Sequence, residues 1–159
     1  MTDLKELIVT EAVCEQISSH AAEAFPEECC GVIVRHGRRD EVRRLNNIQN
    51  LKHAQDPENN PRDAKIAYAM DPKELMAILE ATERSGGELK AFYHSHPNHD
   101  AYFSEEDKAG ATPLGEPTYP DSAQIVISIY NRSVTQIRAY AWDEQEKDFV
   151  EVPLKKISS

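Results

Sequence analysis

The chain has 159 residues, the length of one ordinary domain with a single core, and is read as a single domain over 1–159. Hydrophobic residues make up 40% and charged residues 29%, which is globular rather than disordered or fibrous composition. Lys and Arg total 18 against 28 Asp and Glu, a formal charge of -10, which argues against a partner with a phosphate backbone or an anionic membrane surface.

The first ten residues carry an acid at position 3 and no long apolar run, so no signal peptide is expected. No window approaches the ~20 apolar residues that a bilayer span requires. Cys14, Cys29 and Cys30 are odd in number, two are adjacent, and none forms a CxxC pair. Reduced thiols in a cytoplasmic protein, without a thiolate zinc finger, are the expectation.

A helix is predicted over residues 10–24, with Thr10 as N-cap and Val13, Ile17, Ala21 and Ala24 on one stripe; Phe25-Pro26 ends it. Residues 30–34 read as a short apolar strand. His36-Gly37-Arg38 turns the chain into a second strand near 41–45. Residues 46–63 are polar and hold Asp56-Pro57 and Asn60-Pro61, the pattern of a long surface loop. A strand is predicted over 65–70. Asp71-Pro72 then supplies an N-cap and first helical position, with Glu74 at the third, and Leu75, Ile78 and Leu79 form the apolar face until Gly86-Gly87. Further strands are predicted at 89–93, 125–130 and 134–142, with an edge strand at 149–154. The order is mixed without strict alternation, hence α+β or mixed α/β.

Chemistry concentrates in Tyr93-His94-Ser95-His96-Pro97, followed by Ser104-Glu105-Glu106-Asp107. His94 and His96, two apart on a strand, point to one face, where neutral imidazoles can share a metal ion. Ser104 is a good N-cap. If its helix packs over the strand end, Asp107 can add a third ligand; three protein ligands plus water make the open arrangement of a catalytic zinc. The same Ser104-x-x-Asp107 pattern also reads as a capping box with no chemistry at all. Cys29 and Cys30 read as small buried residues, and His99 as a loop residue that is either solvated or close to a substrate.

The run His-Ser-His-Pro, then seven residues from Pro97 to Phe103, then Ser-x-x-Asp resembles the signature of the JAMM (MPN-plus) zinc metalloproteases. Pro26-Glu27-Glu28-Cys29-Cys30-Gly31 resembles that family's upstream Pro-x-Glu-x-Cys-Gly segment, in the expected order and separation. The resemblance implies a cytidine-deaminase-like fold, a mixed central sheet flanked by helices. It implies Zn2+ held by His94, His96 and Asp107, Glu28 as general base and acid, and Ser104 as donor to the oxyanion. Between Pro97 and Asp121 only His99 is a further soft ligand, too few for a second zinc. The chain is most similar to bacterial members that trim, or release an amino acid from, the C-terminal tail of ubiquitin-like sulfur-carrier proteins. A Gly-Gly tail would lie extended in a groove closed to bulky side chains, with 46–63 as a flanking wall. The alternatives are a phage-tail or cell-wall-associated peptidase of the same family, and a non-cleaving module for ubiquitin-like tails with a structural zinc.

Overall fold

The computed structural model describes residues 4–158. Chain order is β1 (Leu7–Thr10), α1 (Glu11–Ala24), β2 (Cys30–His36), β3 (Arg39–Leu45), α2 (Gln49–Gln55), α3 (Pro72–Arg84), β4 (Glu88–Pro97), α4 (Glu105–Ala111), β5 (Ala123–Tyr130), β6 (Ser133–Asp143), β7 (Asp148–Val152) and β8 (Leu154–Ile157). Six strands form one sheet in the order β3-β2-β4-β5-β6-β7, while β1 and β8 pair in a small parallel ribbon. This is the mixed α+β arrangement expected from the sequence. Among the described residues, no helix is long and apolar enough to cross a membrane.

Within the large sheet every neighbouring pair is antiparallel except β4 and β5. A parallel pair needs a crossover rather than a tight turn. Residues 98–122 supply it, and α4 rides on it, so the crossover brings α4 back to the end of β4 where the two histidines sit. By contrast β5 and β6 meet in a tight turn, with Asn131 and Arg132 at positive φ as such hairpins require.

Strand alternation sorts the two faces of the sheet. Ile33, Ala91, Tyr93, Ile125, Ile127 and Ile129 pack beneath Val13, Ile17 and Ala21 of α1. Each fully buried isoleucine there contributes roughly 1.5–3 kcal/mol. On the other face Cys30, Val32, Val34 and Phe92 meet Leu75 and Ile78 of α3. His94 and His96 share the parity of Phe92, so alternation turns them to the α3 face and Tyr93 to the α1 face.

The helix caps follow the sequence closely. Thr10 Oγ1 accepts from Val13 N, and the Asp71 carboxylate accepts from the amides of Lys73 and Glu74. Glu74 does not close a capping box; its carboxylate accepts instead from the backbone and side-chain amides of Asn46.

Three expectations are corrected. Residues 46–63 are not structureless, because α2 forms within them. Its sequence QNLKHAQ has only Leu51 as a large apolar residue, and that one is exposed, so no apolar stripe announces the helix. Residues 65–70 form no strand beyond one isolated bridge between Asn47 and Met70. The Asn47 amide takes the place of a neighbouring strand: it donates to Ala67 O and accepts from Ala69 N, while Ile48 N donates to Ala69 O. The predicted edge strand at 149–154 divides at Pro153, one part pairing with β6 and the other with β1, a strand the sequence did not suggest.

Gly31 lies opposite Tyr93, whose ring covers it so closely that a Cβ would overlap the ring and its hydroxyl. That approach lets the Tyr93 hydroxyl meet His20 Nδ1 at 2.7 Å. Burial foremost, and then the charge of Arg44, lower the His20 pKa to about 4. The unfolded chain therefore takes up this proton first. Stability from His20 is complete above pH ~6.5 and is lost as pH falls toward 4. Allowing for the ring's partial exposure, the loss is roughly 1–2 kcal/mol. Urea midpoints between pH 6.5 and 5 are expected to fall in the wild type and to stay flatter in His20→Gln; equal slopes would reject the linkage.

Candidate metal centre and its cleft

Strand β4 brings the two imidazoles side by side, with His94 fully buried and His96 nearly so. Their Nε2 atoms are 3.1 Å apart. Helix α4 brings the third group. Ser104, extended at φ -74° and ψ 166°, accepts from Asp107 N at 3.0 Å through Oγ. Asp107 Oδ2 in turn accepts from Ser104 N at 3.0 Å, which closes the capping box. The same Oδ2 lies 3.1 Å from His94 Nε2 and 3.2 Å from His96 Nε2. The capping box forms as the pattern allowed, and the same carboxylate oxygen still has room to face both imidazoles.

A small divalent ion fits this set. Tetrahedral coordination with bonds near 2.0–2.2 Å has donor–donor edges of about 3.3–3.6 Å. The three edges here are 3.1–3.2 Å, within a few tenths of an ångström. Two imidazoles and a carboxylate suit a borderline metal such as zinc. His96 Nδ1 donates to the Asp100 carbonyl at 3.0 Å, which fixes the tautomer that aims the Nε2 lone pair at the set. His94 is oriented differently: its ring stacks on Tyr68, with centroids 4.3 Å apart and planes 22° apart, and its buried Nδ1 has no partner among the described residues.

The electrostatics match a cation site. Burial alone would raise the Asp107 carboxyl, but His94, His96 and the Ser104 N–H outweigh it and hold the group well below the usual carboxylate range. Burial keeps His94 neutral, its pKa below the ordinary imidazole value despite the pull of Asp107. An anionic oxygen and a neutral imidazole nitrogen are ligand forms a metal needs.

The segment between His96 and Ser104 is fastened to β5 and β6 by hydroxyls. Ser128 donates to His99 O at 2.6 Å, Tyr140 to Ala101 O at 2.6 Å, and Tyr130 to the Asp100 carboxylate at 2.9 Å. Phe103 stacks on Tyr140 and packs against Phe149. Lys108 of α4 pairs with Asp148 at 3.0 Å.

Glu28 reaches the same end of the sheet, since Cys30 pairs with His94 in the ladder. Its N–H donates to Ala64 O at 2.7 Å and its carbonyl accepts from Asn47 Nδ2 at 2.9 Å. Burial foremost, then the negative charge of Asp107, raise its carboxyl to about 9, while Arg62 opposes the rise. A cation at the triad would act on Glu28 in the same sense as Arg62.

Glu28, His96, Ser104 and Asp107 line a cleft of about 640 Å³, together with Met70, Leu75, Phe92 and Tyr119. Such a volume is typical of a ligand site and larger than a pair of glycines needs. The wall expected from 46–63 is contributed only by Lys52 and Arg62, with residues 66–70 adding more. Glu106 also lines the cleft and pairs with Arg62 at 2.7 Å. His99 is exposed at the rim. Cys29 and Cys30 are buried free thiols, and burial raises both, Cys29 to about 11, so neither is poised as a nucleophile. Tyr68 and Arg62 were not foreseen; a false strand over 65–70 hid the first, and a lone arginine in a polar run gave no signal for the second.

Metal titration tests the set. The wild type is expected to bind one divalent ion per chain, and an excess of 100 times its Kd adds about 2.7 kcal/mol to the unfolding free energy. His96→Ala is expected to abolish that gain while leaving the metal-free thermal midpoint within a few degrees. A wild-type midpoint indifferent to zinc, cobalt and manganese would end the metal reading.

Comparison with known proteins agrees with this geometry. Residues 10–143 match the family described as prokaryotic homologues of the JAB domain. The chain is 34% identical over 102 residues to a desampylase of Haloferax volcanii, an alignment covering 62% of this chain and 67% of that protein. It is 35% identical over 101 residues to a probable TtuB-protein conjugate cleaving protease of Thermus thermophilus, covering 64% and 60%. The alignments thus span about two thirds or less of these relatives' lengths. Among solved structures, a protein of Desulfitobacterium hafniense superposes with a TM-score of 0.69 at 22% identity, covering 97% of this chain and 94% of that one. A JAB1/MPN domain protein of Archaeoglobus fulgidus gives 0.51 at 17% identity, covering 94% and 98%, a likeness of fold. With the sheet, the buried His-His-Asp set and these matches together, the chain belongs to the prokaryotic JAB-domain family.

Proposed function

We propose that the protein is a zinc metallopeptidase that hydrolyses an amide or isopeptide bond at the C-terminal tail of a ubiquitin-like protein of the sulfur-carrier type. The observation that carries this reading is that Glu28 and Ser104 line the same open cleft as His96 and Asp107. The relatives' names support the substrate class, since one is a desampylase and the other a protease of TtuB-protein conjugates. Three buried free cysteines fit a reducing cytoplasm.

Bound at the triad, zinc would supply a Lewis acid that brings the pKa of water toward ~7 and polarises a carbonyl. The protein's own groups do the rest. The Glu28 carboxylate accepts the proton of the attacking water and returns it to the leaving amine. Ser104 Oγ uses a lone pair for the cap, so its O–H remains free to donate to the oxyanion. One such donor contributes on the order of 3 kcal/mol to the transition state. Residues 67–70 line the cleft. With Ala67 and Ala69 turned to Asn47, the backbone N–H and C=O of Tyr68 have no partner among the described residues and can pair with an extended tail. The opening of the cleft onto His96 and Asp107 speaks against a closed structural zinc.

The test is zinc-loaded protein incubated with a carrier that bears an extension after its C-terminal Gly-Gly. Glu28→Gln is expected to lower kcat by about 10²–10⁴ with zinc still bound. Ser104→Ala is expected to lower it about 10²-fold and to cost about 1 kcal/mol of stability through the lost cap. No cleavage by the wild type, or Glu28→Gln turning over as fast as wild type, would reject the assignment.

A further inference from the structure

Tyr68 sits between α2 and α3, outside any helix or strand, yet it is held firmly. The Asn47 side chain fixes Ala67 and Ala69 on either side of it. Its ring stacks on His94, and it lines the cleft beside Glu28, His96, Ser104 and Asp107. A packing role on His94 would be served as well by phenylalanine. What distinguishes Tyr68 is one O–H, and that hydroxyl has no hydrogen-bond partner among the described residues. The two tyrosines of the core behave otherwise: Tyr93 bonds His20 and Tyr140 bonds the Ala101 carbonyl. Tyr68 is only partly buried, so its hydroxyl is not tied to the protein as theirs are and stays available to a ligand. The residue that carries this donor lines the same cleft as Glu28, Ser104 and Asp107, with its ring fixed against His94.

We propose that the Tyr68 hydroxyl is a second oxyanion donor, acting with Ser104 on the carbonyl oxygen of the scissile bond. The proposal rests on the peptidase reading above. It goes beyond that reading in assigning a catalytic contact to a residue outside the His-x-His and Ser-x-x-Asp motifs. The phenol keeps its proton throughout, since an ordinary tyrosine titrates near 10. It forms its bond as the oxygen becomes anionic, which is where a donor already held in position is most effective. The backbone of Tyr68 offers its N–H and C=O to the tail while the side chain crosses toward His94, so one residue both aligns the substrate and answers its developing charge.

Tyr68→Phe keeps the ring and the stack and removes only the O–H. It is expected to lower kcat by about 10²-fold, with KM, zinc affinity and thermal midpoint unchanged. A second readout needs no turnover: calorimetric binding to zinc-loaded protein of a phosphinic peptide that replaces the bond after Gly-Gly with a tetrahedral centre, against the ordinary Gly-Gly peptide. Tyr68→Phe is expected to lose about 10²-fold affinity for the phosphinate and none for the ordinary peptide. Equal kcat and equal phosphinate affinity in the two proteins would overturn the proposal. So would a variant that loses zinc or thermal stability in step with activity, because Tyr68 would then only position His94. A wild type that binds the phosphinate through this hydroxyl but cleaves no carrier conjugate would overturn the substrate assignment and leave the donor standing. A wild type that binds no phosphinate would overturn both.

Discussion

A single carboxylate oxygen, Asp107 Oδ2, joins the two halves of the site. It closes the N-terminal turn of α4 by accepting from Ser104 N, and it faces both imidazoles of β4 at 3.1 and 3.2 Å. The position of the helix and the geometry of the donor set are therefore one constraint, because sliding α4 along the sheet would carry Asp107 away from both imidazoles. Much of the nearby structure keeps α4 in place. Ser128, Tyr130 and Tyr140 each hold the crossover by a hydroxyl, Phe103 plugs it into an aromatic cluster, and Lys108 ties the helix to the start of β7. The parallel pairing of β4 with β5 makes this crossover necessary, so the one parallel pairing in an otherwise antiparallel sheet is also what brings α4 to the histidines.

The two faces of the sheet divide labour. The α1 face is apolar almost throughout and supplies the large core cluster. The α3 face gives way from Val32, Val34 and Phe92 to His94 and His96 within one strand length. Gly31 and Tyr93 illustrate how closely the faces are coupled. The missing side chain at Gly31 admits the tyrosine ring on the α1 face, while the neighbouring His94 points into the site on the other.

The wall of the cleft is built by different means. Between β3 and α3 the chain has few apolar residues to bury, and side-chain amides take over the work of a core. Asn47 holds residues 67 and 69, Gln49 donates to the Arg62 carbonyl, and Asn50 accepts from Ala64 N while donating to Glu27. Glu28 is bound into the same web through Ala64 and Asn47. The residue proposed as general base and the wall proposed to receive the tail are thus fixed by the same hydrogen bonds.

By itself the sequence determined whatever depends on residues a few positions apart. The caps at Thr10, Asp71 and Ser104, the apolar stripe of α1, the alternation of β4 and the donor types at His94, His96, Asp107 and Glu28 all follow from local periodicity and side-chain chemistry. Only the tertiary structure decided what depends on groups distant in the chain. It placed Asp107 against the two histidines, and it let Asn47 stand in for a strand beside residues 67–70. It sent the end of the chain to β1 and turned Tyr68, Arg62 and Glu106 into the cleft. A polar helix such as α2, or an extended segment held by a side-chain amide, has no periodic signature, because its hydrogen-bond partners come from elsewhere in the fold.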